Sequence, residues 1–198
     1  MERTVLTLVR HGQTAANTGG IWHGSTDTPL SDHGREQATR VAGGIRKRFQ
    51  PAAIYASDLQ RAHDTARAIS AAVGVEIQLE TGLREYDLGT WEGRSYRELF
   101  DKEDLWENMK KDPDFAPHGG ESPRQVTQRL VGALQDIARR HPGERVVCVS
   151  HGGAMSMAMG HILDGDYSQW KRILDNCSVA EIALEQEPEL LCFNEAWD

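Results

Sequence analysis

The chain has 198 residues, of which 39% are hydrophobic, which suits one domain with a substantial core or one domain with a small insertion. Its formal net charge is −8, and acidic and basic residues are interspersed. Such a charge argues against nonspecific binding to nucleic acid or to a membrane surface, because both are anionic. It still allows a small anionic ligand in a local basic pocket.

The cysteines and the amino terminus both predict an intracellular, cytoplasmic protein. The chain has three cysteines, an odd number, and no CxxC motif. We therefore expect Cys148, Cys177 and Cys192 to be reduced. The first apolar run, within MERTVLTLV, is too short for the core and cleavage site of a signal peptide. No apolar segment approaches the roughly 20 residues that span a bilayer.

Apolar runs typical of buried strands alternate with amphipathic runs typical of helices. The strands are predicted at 5–9, 52–56 and 146–150. The helices are predicted at 32–49, 58–73, 123–140 and 152–163. Further apolar stretches at 178–184 and 190–193 indicate a late strand and an edge hairpin. The alternation predicts a three-layer α/β/α domain with a mainly parallel central sheet.

Helix starts and one irregular segment complete the predicted organisation. Three helix starts have the spacing of a capping box, at Ser57–Gln60, Ser95–Glu98 and Ser122–Gln125. Residues 86–120 are rich in glycine, proline and aromatic residues. They predict an insertion with short helices over the carboxyl edge of the sheet, acting as a lid. We therefore expect residues 1–198 to form a single domain.

Histidine and arginine side chains follow the carboxyl ends of the predicted strands. In a parallel sheet the carboxyl ends lie on one edge, and ligands bind in the crevice there. The first strand delivers Arg10 and His11, the strand at 146–150 delivers His151, and Arg61 follows the strand at 52–56. These four side chains are cationic or can become cationic, so they repel one another unless the site binds a multiply charged anion. Arginine forks suit phosphate, and the helix after His151 is expected to add free amides, so the convergence predicts a phosphoryl site.

A phosphoryl site of this kind also needs a nucleophile and an acid. The sequence has no GxxxxGK[ST] motif and no cysteine placed beside an arginine in a phosphate loop. A neutral imidazole attacks phosphorus directly, and His11 is the candidate nucleophile. The leaving alcohol needs a proton from a carboxylic acid. Glu85, on a loop after a short strand-like segment, is the candidate, with Asp87 and Glu92 as competitors.

A set of motifs occurs in a fixed order along most of the chain. They are LVRHGQT, Asn17, HGSTDTPLSDHG, YASDLQRAHDTA, LREYDLGTWEG, HGGES and VVCVSHGG. Together they resemble the histidine phosphatase superfamily, in its phosphoglycerate-mutase-like branch with the RHG motif, from about residue 4 to residue 194.

The resemblance assigns a role to each matching residue. It implies that His11 is phosphorylated during turnover and that Glu85 protonates the leaving group and later activates water. It implies that the phosphoryl oxygens are held by Arg10, Arg61 and His151. The phosphate pocket is lined, on the same basis, by Thr14, Asn17 and Gly152. The resemblance also implies that no metal or other cofactor takes part.

Several further residues have open roles. Gln13 stands where many relatives have Glu, and His23, beside Gly24, stands where the phosphatase-like branch often has Gln. We count all three as substrate-binding candidates, although His23 is equally typical of a partly exposed loop histidine. His118 is more typical of a turn before Gly-Gly than of a pocket wall. Three tryptophans either wall the pocket or form small cores under loops: Trp22, Trp91 and Trp106.

The sequence favours a metal-independent phosphatase of small phosphomonoesters that acts through phosphohistidine. Its partner is a small phosphorylated metabolite, and it is a monomer or homodimer. A phosphoglycerate mutase is the second hypothesis, although the segment from Glu85 to His151 lacks the mutase-like basic motif. A silent phosphate-binding module and a metal-dependent phosphoesterase are the remaining alternatives, and the intact set of His11, Glu85 and His151 speaks against the former.

Overall fold

The structure is a computed structural model that describes residues 3–166, 172–185 and 187–198. Its strands are β1 (Val5–Arg10), β2 (Ala53–Ala56), β3 (Ile77–Leu79), β4 (Arg145–Ser150), β5 (Ser178–Ala183) and β6 (Glu189–Ala196). They form one six-stranded sheet in the order β3-β2-β4-β1-β5-β6. The three strands predicted from apolar runs are therefore confirmed, with ends shifted by one residue.

Strand direction and register set the position of the site. β1 pairs in parallel with β4, and β2 pairs in parallel with β4 and β3. β5 runs antiparallel to β1, and β6 runs antiparallel to β5 at the outer edge. The mainly parallel sheet and the edge hairpin near the carboxyl terminus are both confirmed. Because Arg10 pairs with Ser150, the residues after β1 and β4 leave the sheet at the same level.

The helices follow the predicted periodicities. They are α1 (Ala15–Gly19), α2 (Asp32–Arg48), α3 (Gln60–Val73), α4 (Tyr96–Glu103), α5 (Leu105–Lys111), α6 (Pro123–Arg140) and α7 (Gly152–Asp164). The capping box at Ser122 and Gln125 is confirmed, with Pro123 in the first turn. At Ser95 the hydroxyl accepts the Glu98 amide, which is one half of the predicted box.

The capping box predicted at Ser57 and Gln60 is wrong. Helix α3 starts two residues later than predicted, and its N-cap is Leu59, which makes no side-chain cap. The Gln60 amide instead donates to Asp27 Oδ1 at 2.7 Å. A carboxylate from a distant loop therefore supplies the acceptor that the local serine was expected to provide, and no local spacing reveals such a cap.

Two apolar clusters, one on each face of the sheet, confirm the three-layer architecture. One face packs on α2 and α3, through residues such as Val41 and Ile69. The other face packs on α6 and α7, through residues such as Leu130 and Met157. Neighbouring β2 residues divide between the faces, with Ile54 in the first cluster and Tyr55 in the second. In the described part of the chain, no helix is both long and apolar enough to span a bilayer.

The 86–120 segment packs against the domain core on the α6 and α7 side. It contains α4 and α5, and its buried residues Leu88, Leu99, Leu105 and Met109 belong to the same cluster as Leu130. The predicted short helices over the sheet are therefore present. Movement of this segment as a lid stays a prediction.

Candidate active site

His11 and His151 leave neighbouring parallel strands and meet at the carboxyl edge of the sheet. The His11 amide donates to the Ser150 carbonyl at 3.0 Å, which continues the ladder one step beyond the strands. The two imidazole centroids lie 5.1 Å apart, and both side chains are buried. The predicted convergence of the two histidines is confirmed.

The tautomer of His11 follows from one hydrogen bond. Its Nδ1 lies 2.7 Å from the Gly12 carbonyl oxygen, and a carbonyl can only accept, so Nδ1 carries the proton. The lone pair is therefore on Nε2. Gly12 is required here because a Cβ at this position would lie 2.4 Å from the Gly34 carbonyl oxygen. The RHG sequence thus places a histidine whose Nε2 is available as a nucleophile.

Burial and nearby cations keep both histidines neutral. Burial lowers the pKa of His11 well below its ordinary value, and the Arg61 and Arg10 guanidinium groups lower it further. Burial likewise lowers the pKa of His151 well below its ordinary value, followed by the effect of Arg61. A neutral imidazole is the nucleophilic form, so this environment favours attack by His11.

Arg61 is fully buried, and its two terminal nitrogens donate hydrogen bonds to a neighbouring loop. Its Nη2 donates to the carbonyls of His23 (3.0 Å) and Gly24 (2.7 Å), and its Nη1 donates to the Thr26 carbonyl (2.9 Å). Its Nε is buried and has no hydrogen-bond partner among the described residues. A buried, unpaired guanidinium N–H is costly unless a ligand accepts it, so Nε is the atom of Arg61 suited to a phosphoryl oxygen.

Arg10 is tied to the segment before β5. Its Nη1 donates to the Leu174 carbonyl at 2.6 Å, and its own carbonyl accepts the Cys177 amide at 3.0 Å. Its Nε, like that of Arg61, is buried without a partner among the described residues. A Cβ at Gly152 would lie 3.0 Å from the Arg10 guanidinium carbon, so glycine lets the two strand exits approach.

Glu85 lies on the amino terminus of α7. Its Oε1 accepts the amides of Ala154 (2.6 Å) and Tyr86 (2.8 Å), and its Oε2 accepts the Gly153 amide (3.0 Å). Two of the amides that were predicted to face the phosphoryl group, those of Gly153 and Ala154, therefore donate to this carboxylate instead. A carboxylate at this position interacts favourably with the helix dipole, and Glu85 is also held in the cavity wall.

The two other candidate acids, Glu92 and Asp87, accept hydrogen bonds from groups outside the cavity. Glu92 accepts the amides of Ser25 (2.8 Å) and Thr26 (2.9 Å) and the Thr26 hydroxyl (2.7 Å). Asp87 accepts the Gly89 amide at 2.7 Å and the Ser25 hydroxyl at 3.3 Å. Only Glu85 of the three lies in the wall of the cavity next to His11 among the described residues.

His23 lies beside His11, held by a chain of hydrogen bonds. Its ring centroid is 5.9 Å from that of His11. Its Nε2 accepts the Asn17 side-chain amide (3.2 Å), so its Nδ1 donates to the Thr28 hydroxyl (2.8 Å). Asn176 completes the chain, because its Nδ2 donates to the His11 carbonyl (2.9 Å) and to Asn17 Oδ1 (3.3 Å). Burial, then Arg61 and Arg10, lower the pKa of His23 to about 3.

Some of these residues line a cavity of about 280 Å³, whereas Arg61 and His151 are buried outside its described lining. Its described lining consists of Arg10, His11, Asn17, Trp22, His23, Gly24, Glu85, Tyr96, Trp106, Gly152, Gly153 and Ile173. Two substrate-binding candidates are absent from that lining. Thr14 is fully buried as the N-cap of α1, and the Gln13 side chain accepts a hydrogen bond from Ser31 at 3.2 Å.

The structure distinguishes pocket residues from turn and core residues among the three tryptophans and His118. Trp22 and Trp106 line the cavity, whereas Trp91 packs on His118 with ring centroids 5.0 Å apart. His118 is buried outside the described lining, and its Nδ1 accepts the Gly120 amide at 3.1 Å, as in a turn. His118 is therefore a turn residue, as its sequence context favoured.

Sequence reasoning missed Tyr96, Ile173 and Asn176. Tyr96 lies within the 86–120 segment, where an aromatic residue is a common pocket residue. Asn176 immediately precedes β5, which is a strand neighbouring β1, and its polar side chain at that boundary was the available signal. In the described part of the chain, no group of three or more His, Cys, Asp or Glu side chains is placed to hold a metal ion.

A mainly parallel sheet that carries a buried neutral histidine at its carboxyl edge, near the buried Arg61 and the half-buried Arg10, is the arrangement of a histidine phosphatase. The model of the histidine phosphatase superfamily, branch 1, matches residues 6–195. The chain belongs to this family.

Individual relatives share most of the chain. A glucosyl-3-phosphoglycerate phosphatase of Mycolicibacterium vanbaalenii is 35% identical over 191 residues, covering 90% of this chain and 83% of the relative. A probable phosphoglycerate mutase of Enterobacter sp. is 36% identical over 186 residues, covering 92% and 86%. A variant of the Entamoeba histolytica phosphoserine phosphatase, crystallised with phosphoserine, superposes with a TM-score of 0.87 at 30% identity, covering 98% of each chain.

Proposed function

We propose that the protein is a metal-independent phosphatase that hydrolyses small phosphomonoesters through a phosphohistidine intermediate. The observation that carries this proposal is the 2.7 Å hydrogen bond from His11 Nδ1 to the Gly12 carbonyl, which leaves the Nε2 lone pair for attack. The phosphatase names of the relatives, and phosphoserine bound to a structural neighbour, support the same reaction.

In the first step, His11 Nε2 attacks phosphorus and the bond to the ester oxygen breaks. The N–H groups of Arg10 Nε and Arg61 Nε donate to the phosphoryl oxygens, where negative charge is concentrated. His151, whose ring nitrogens have no partner among the described residues, is the third group beside those oxygens. Glu85, in its protonated form, gives its proton to the leaving alkoxide.

In the second step, water attacks the phosphorus of phosphohistidine. Glu85, now a carboxylate, accepts the proton of that water, and the P–N bond breaks to release inorganic phosphate. The electron pair of that bond returns to His11 Nε2. One acid–base group therefore serves both half-reactions, and the cations already present stabilise the charge on the phosphoryl oxygens.

A mutase is the second candidate, because a probable phosphoglycerate mutase is among the relatives. It uses the same first step and returns the phosphoryl group to a glycerate hydroxyl. Three cations on α4 and α5 offer it little help, since Arg97, Lys102 and Lys110 lie in ion pairs with acidic neighbours. The phosphatase is therefore the preferred proposal.

The test is an assay of phosphate release from a panel of phosphorylated metabolites, with glycerate present or absent. We expect release that is abolished in His11→Ala, unchanged in the exposed-residue control His33→Ala, and unaffected by a metal chelator. Phosphoryl transfer to glycerate in place of release supports the mutase. Loss of activity with the chelator supports a metal-dependent enzyme, and tight phosphate binding without turnover supports a silent binding module.

We also propose a cytoplasmic protein that is a monomer or homodimer and binds neither nucleic acid nor membranes. All three cysteines are free, and Cys148 and Cys177 are buried. The net charge of −8 opposes association with anionic surfaces. Size-exclusion chromatography with light scattering and fractionation of cells test these points.

A further inference from the structure

The cavity lining contains two chemically different groups of side chains. The group formed by Arg10, His11 and His23 suits the phosphoryl group. The remaining described lining beyond Glu85 and the glycines is mainly aromatic and aliphatic: Trp22, Tyr96, Trp106 and Ile173. The leaving alcohol must therefore lie against this second group of side chains, which we call the aromatic wall.

The aromatic wall is ordered by ring contacts and continues to the protein surface. Tyr96 meets Trp22 edge to face, with centroids 5.5 Å apart. Trp106 contacts Phe100 with centroids 6.3 Å apart, and Phe100 is 61% exposed. Ile173, also in the wall, is 45% exposed. Grouped exposure of large apolar side chains at a cavity mouth marks a surface that a ligand covers.

The charges around the wall disfavour an anionic alcohol. Arg94, on the segment that carries Tyr96, is paired with Glu98 (3.1 Å) and Glu103 (2.6 Å). Among the described lining residues, the one fixed positive charge is that of Arg10, which the phosphoryl group occupies, and Glu85 is protonated when the ester binds. A carboxylate on the alcohol would therefore face the negative faces of aromatic rings, and the described lining offers it no further cation.

We propose, on the basis of the phosphatase activity proposed above, that the site selects phosphate esters of uncharged alcohols with an apolar or aromatic face. It discriminates against esters whose alcohol carries a carboxylate, such as the phosphoglycerates and phosphoserine named for the relatives. The cavity volume of about 280 Å³ limits the whole ester to the size of a small metabolite. The Tyr96 hydroxyl supplies a polar contact for a hydroxyl group of such an alcohol.

The test compares kcat/KM for three alkyl esters: 2-phenylethyl phosphate, glycerol 3-phosphate and 3-phosphoglycerate. The last two differ only in a hydroxymethyl group against a carboxylate. We expect wild-type protein to prefer glycerol 3-phosphate over 3-phosphoglycerate by about tenfold or more, because the described lining offers the carboxylate no cation beyond Arg10, which holds the phosphoryl group. We expect 2-phenylethyl phosphate to be preferred over both.

Two variants test the wall itself. Trp106→Ala is expected to lower kcat/KM for 2-phenylethyl phosphate by roughly tenfold and that for glycerol 3-phosphate by much less, while Trp106→Phe retains most of the preference. Ile173→Arg is expected to raise the activity on 3-phosphoglycerate. Leu79→Ala, an exposed apolar residue on β3, is the control and is expected to change none of these ratios.

The outcomes separate this inference from the activity on which it rests. If wild-type protein prefers 3-phosphoglycerate to glycerol 3-phosphate, the uncharged class is overturned while the phosphatase stands. Equal loss on all esters in Trp106→Ala, with the protein still folded by circular dichroism, also overturns it. If no ester in this set or in the metabolite panel is hydrolysed above the His11→Ala blank, both proposals fall.

Discussion

The Glu85 carboxylate accepts the Ala154 amide at 2.6 Å, which joins the proposed acid to the first turn of the helix that follows His151. The Gly153 amide donates to its other oxygen at 3.0 Å. These bonds fix the carboxyl group beside the cavity without filling its remaining lone pairs. The acid and the second histidine are thus oriented by the same short stretch of backbone.

Replacing Glu85 tests its role as proton donor. We expect Glu85→Gln, which keeps the size and one acceptor, to lower kcat/KM, which reports the first step alone, on alkyl phosphates by about 10²–10⁴-fold. The loss should be much smaller on p-nitrophenyl phosphate, because its leaving group needs no proton. Steady-state kinetics on both ester types provide the measurement. An equal loss on both would show that Glu85 acts only in positioning.

Glu92 is expected to behave differently, since it holds the loop of residues 23–26 rather than the leaving group. Glu92→Ala leaves the amides of Ser25 and Thr26 without their acceptor, at a cost of about 1 kcal/mol of unfolding free energy. Because His23 and Gly24 form the cavity wall, KM should rise more than kcat falls. If Glu92→Gln instead loses activity on alkyl phosphates but retains it on p-nitrophenyl phosphate, Glu92 is the acid and our assignment is wrong.

Asn176 is expected to be a positioning residue, because its amide donates to both the His11 carbonyl and Asn17 Oδ1. Asn176→Asp places an acceptor opposite two acceptors and should lower kcat/KM by about tenfold or more, with Asn176→Ala in between. Asn108→Asp is a matched control, since Asn108 also donates to a backbone carbonyl, at 3.0 Å, but outside the described lining. Equal effects of the two Asp variants would contradict the positioning role.

Stability should fall with acid because His11, His23 and His151 are buried as neutral groups. In the unfolded chain each takes up a proton near pH 6.5, whereas the folded-state pKa of His23 is lowered to about 3. The unfolded state therefore binds more protons between about pH 6.5 and pH 3, and the free energy of unfolding decreases as the pH falls through that range.

Urea denaturation at pH 7.5 and pH 5.5 measures this dependence. His23→Gln should reduce the loss of unfolding free energy between these two pH values by up to about 1 kcal/mol, because one histidine no longer titrates. The exposed His33→Gln serves as the control and should leave the loss unchanged. An equal pH dependence in wild type and His23→Gln would show that His23 is protonated in the folded protein.

The sequence predicts the sheet and the proximity of His11 and His151 well because both depend on short local patterns. The run VVCVS and the apolar spacing in 123–140 need no distant information, and register then brings His11 to His151. The differences occur where a distant group satisfies a local need. Asp27 caps α3 in place of Ser57, and Glu85 accepts two of the α7 amides that were predicted to face the phosphoryl group.

The wall of the cavity was the least predictable part of the site. Tyr96 and Ile173 come from segments far apart in the chain, and only tertiary packing places them in one wall. The role of Arg61 at the site stays a prediction, and its pairing with the loop carbonyls of His23 and Gly24 depends on the path of that loop. Spacing alone carries no information on either point.

The most direct test of the account is whether phosphorus becomes bonded to His11 during turnover. Protein mixed with a ³²P-labelled ester and quenched in alkali, where phosphohistidine survives, should carry label on the peptide that contains His11. His11→Ala should carry none, and His33→Ala should match wild type. Label on another residue, or phosphate release at the wild-type rate by His11→Ala, would contradict the account.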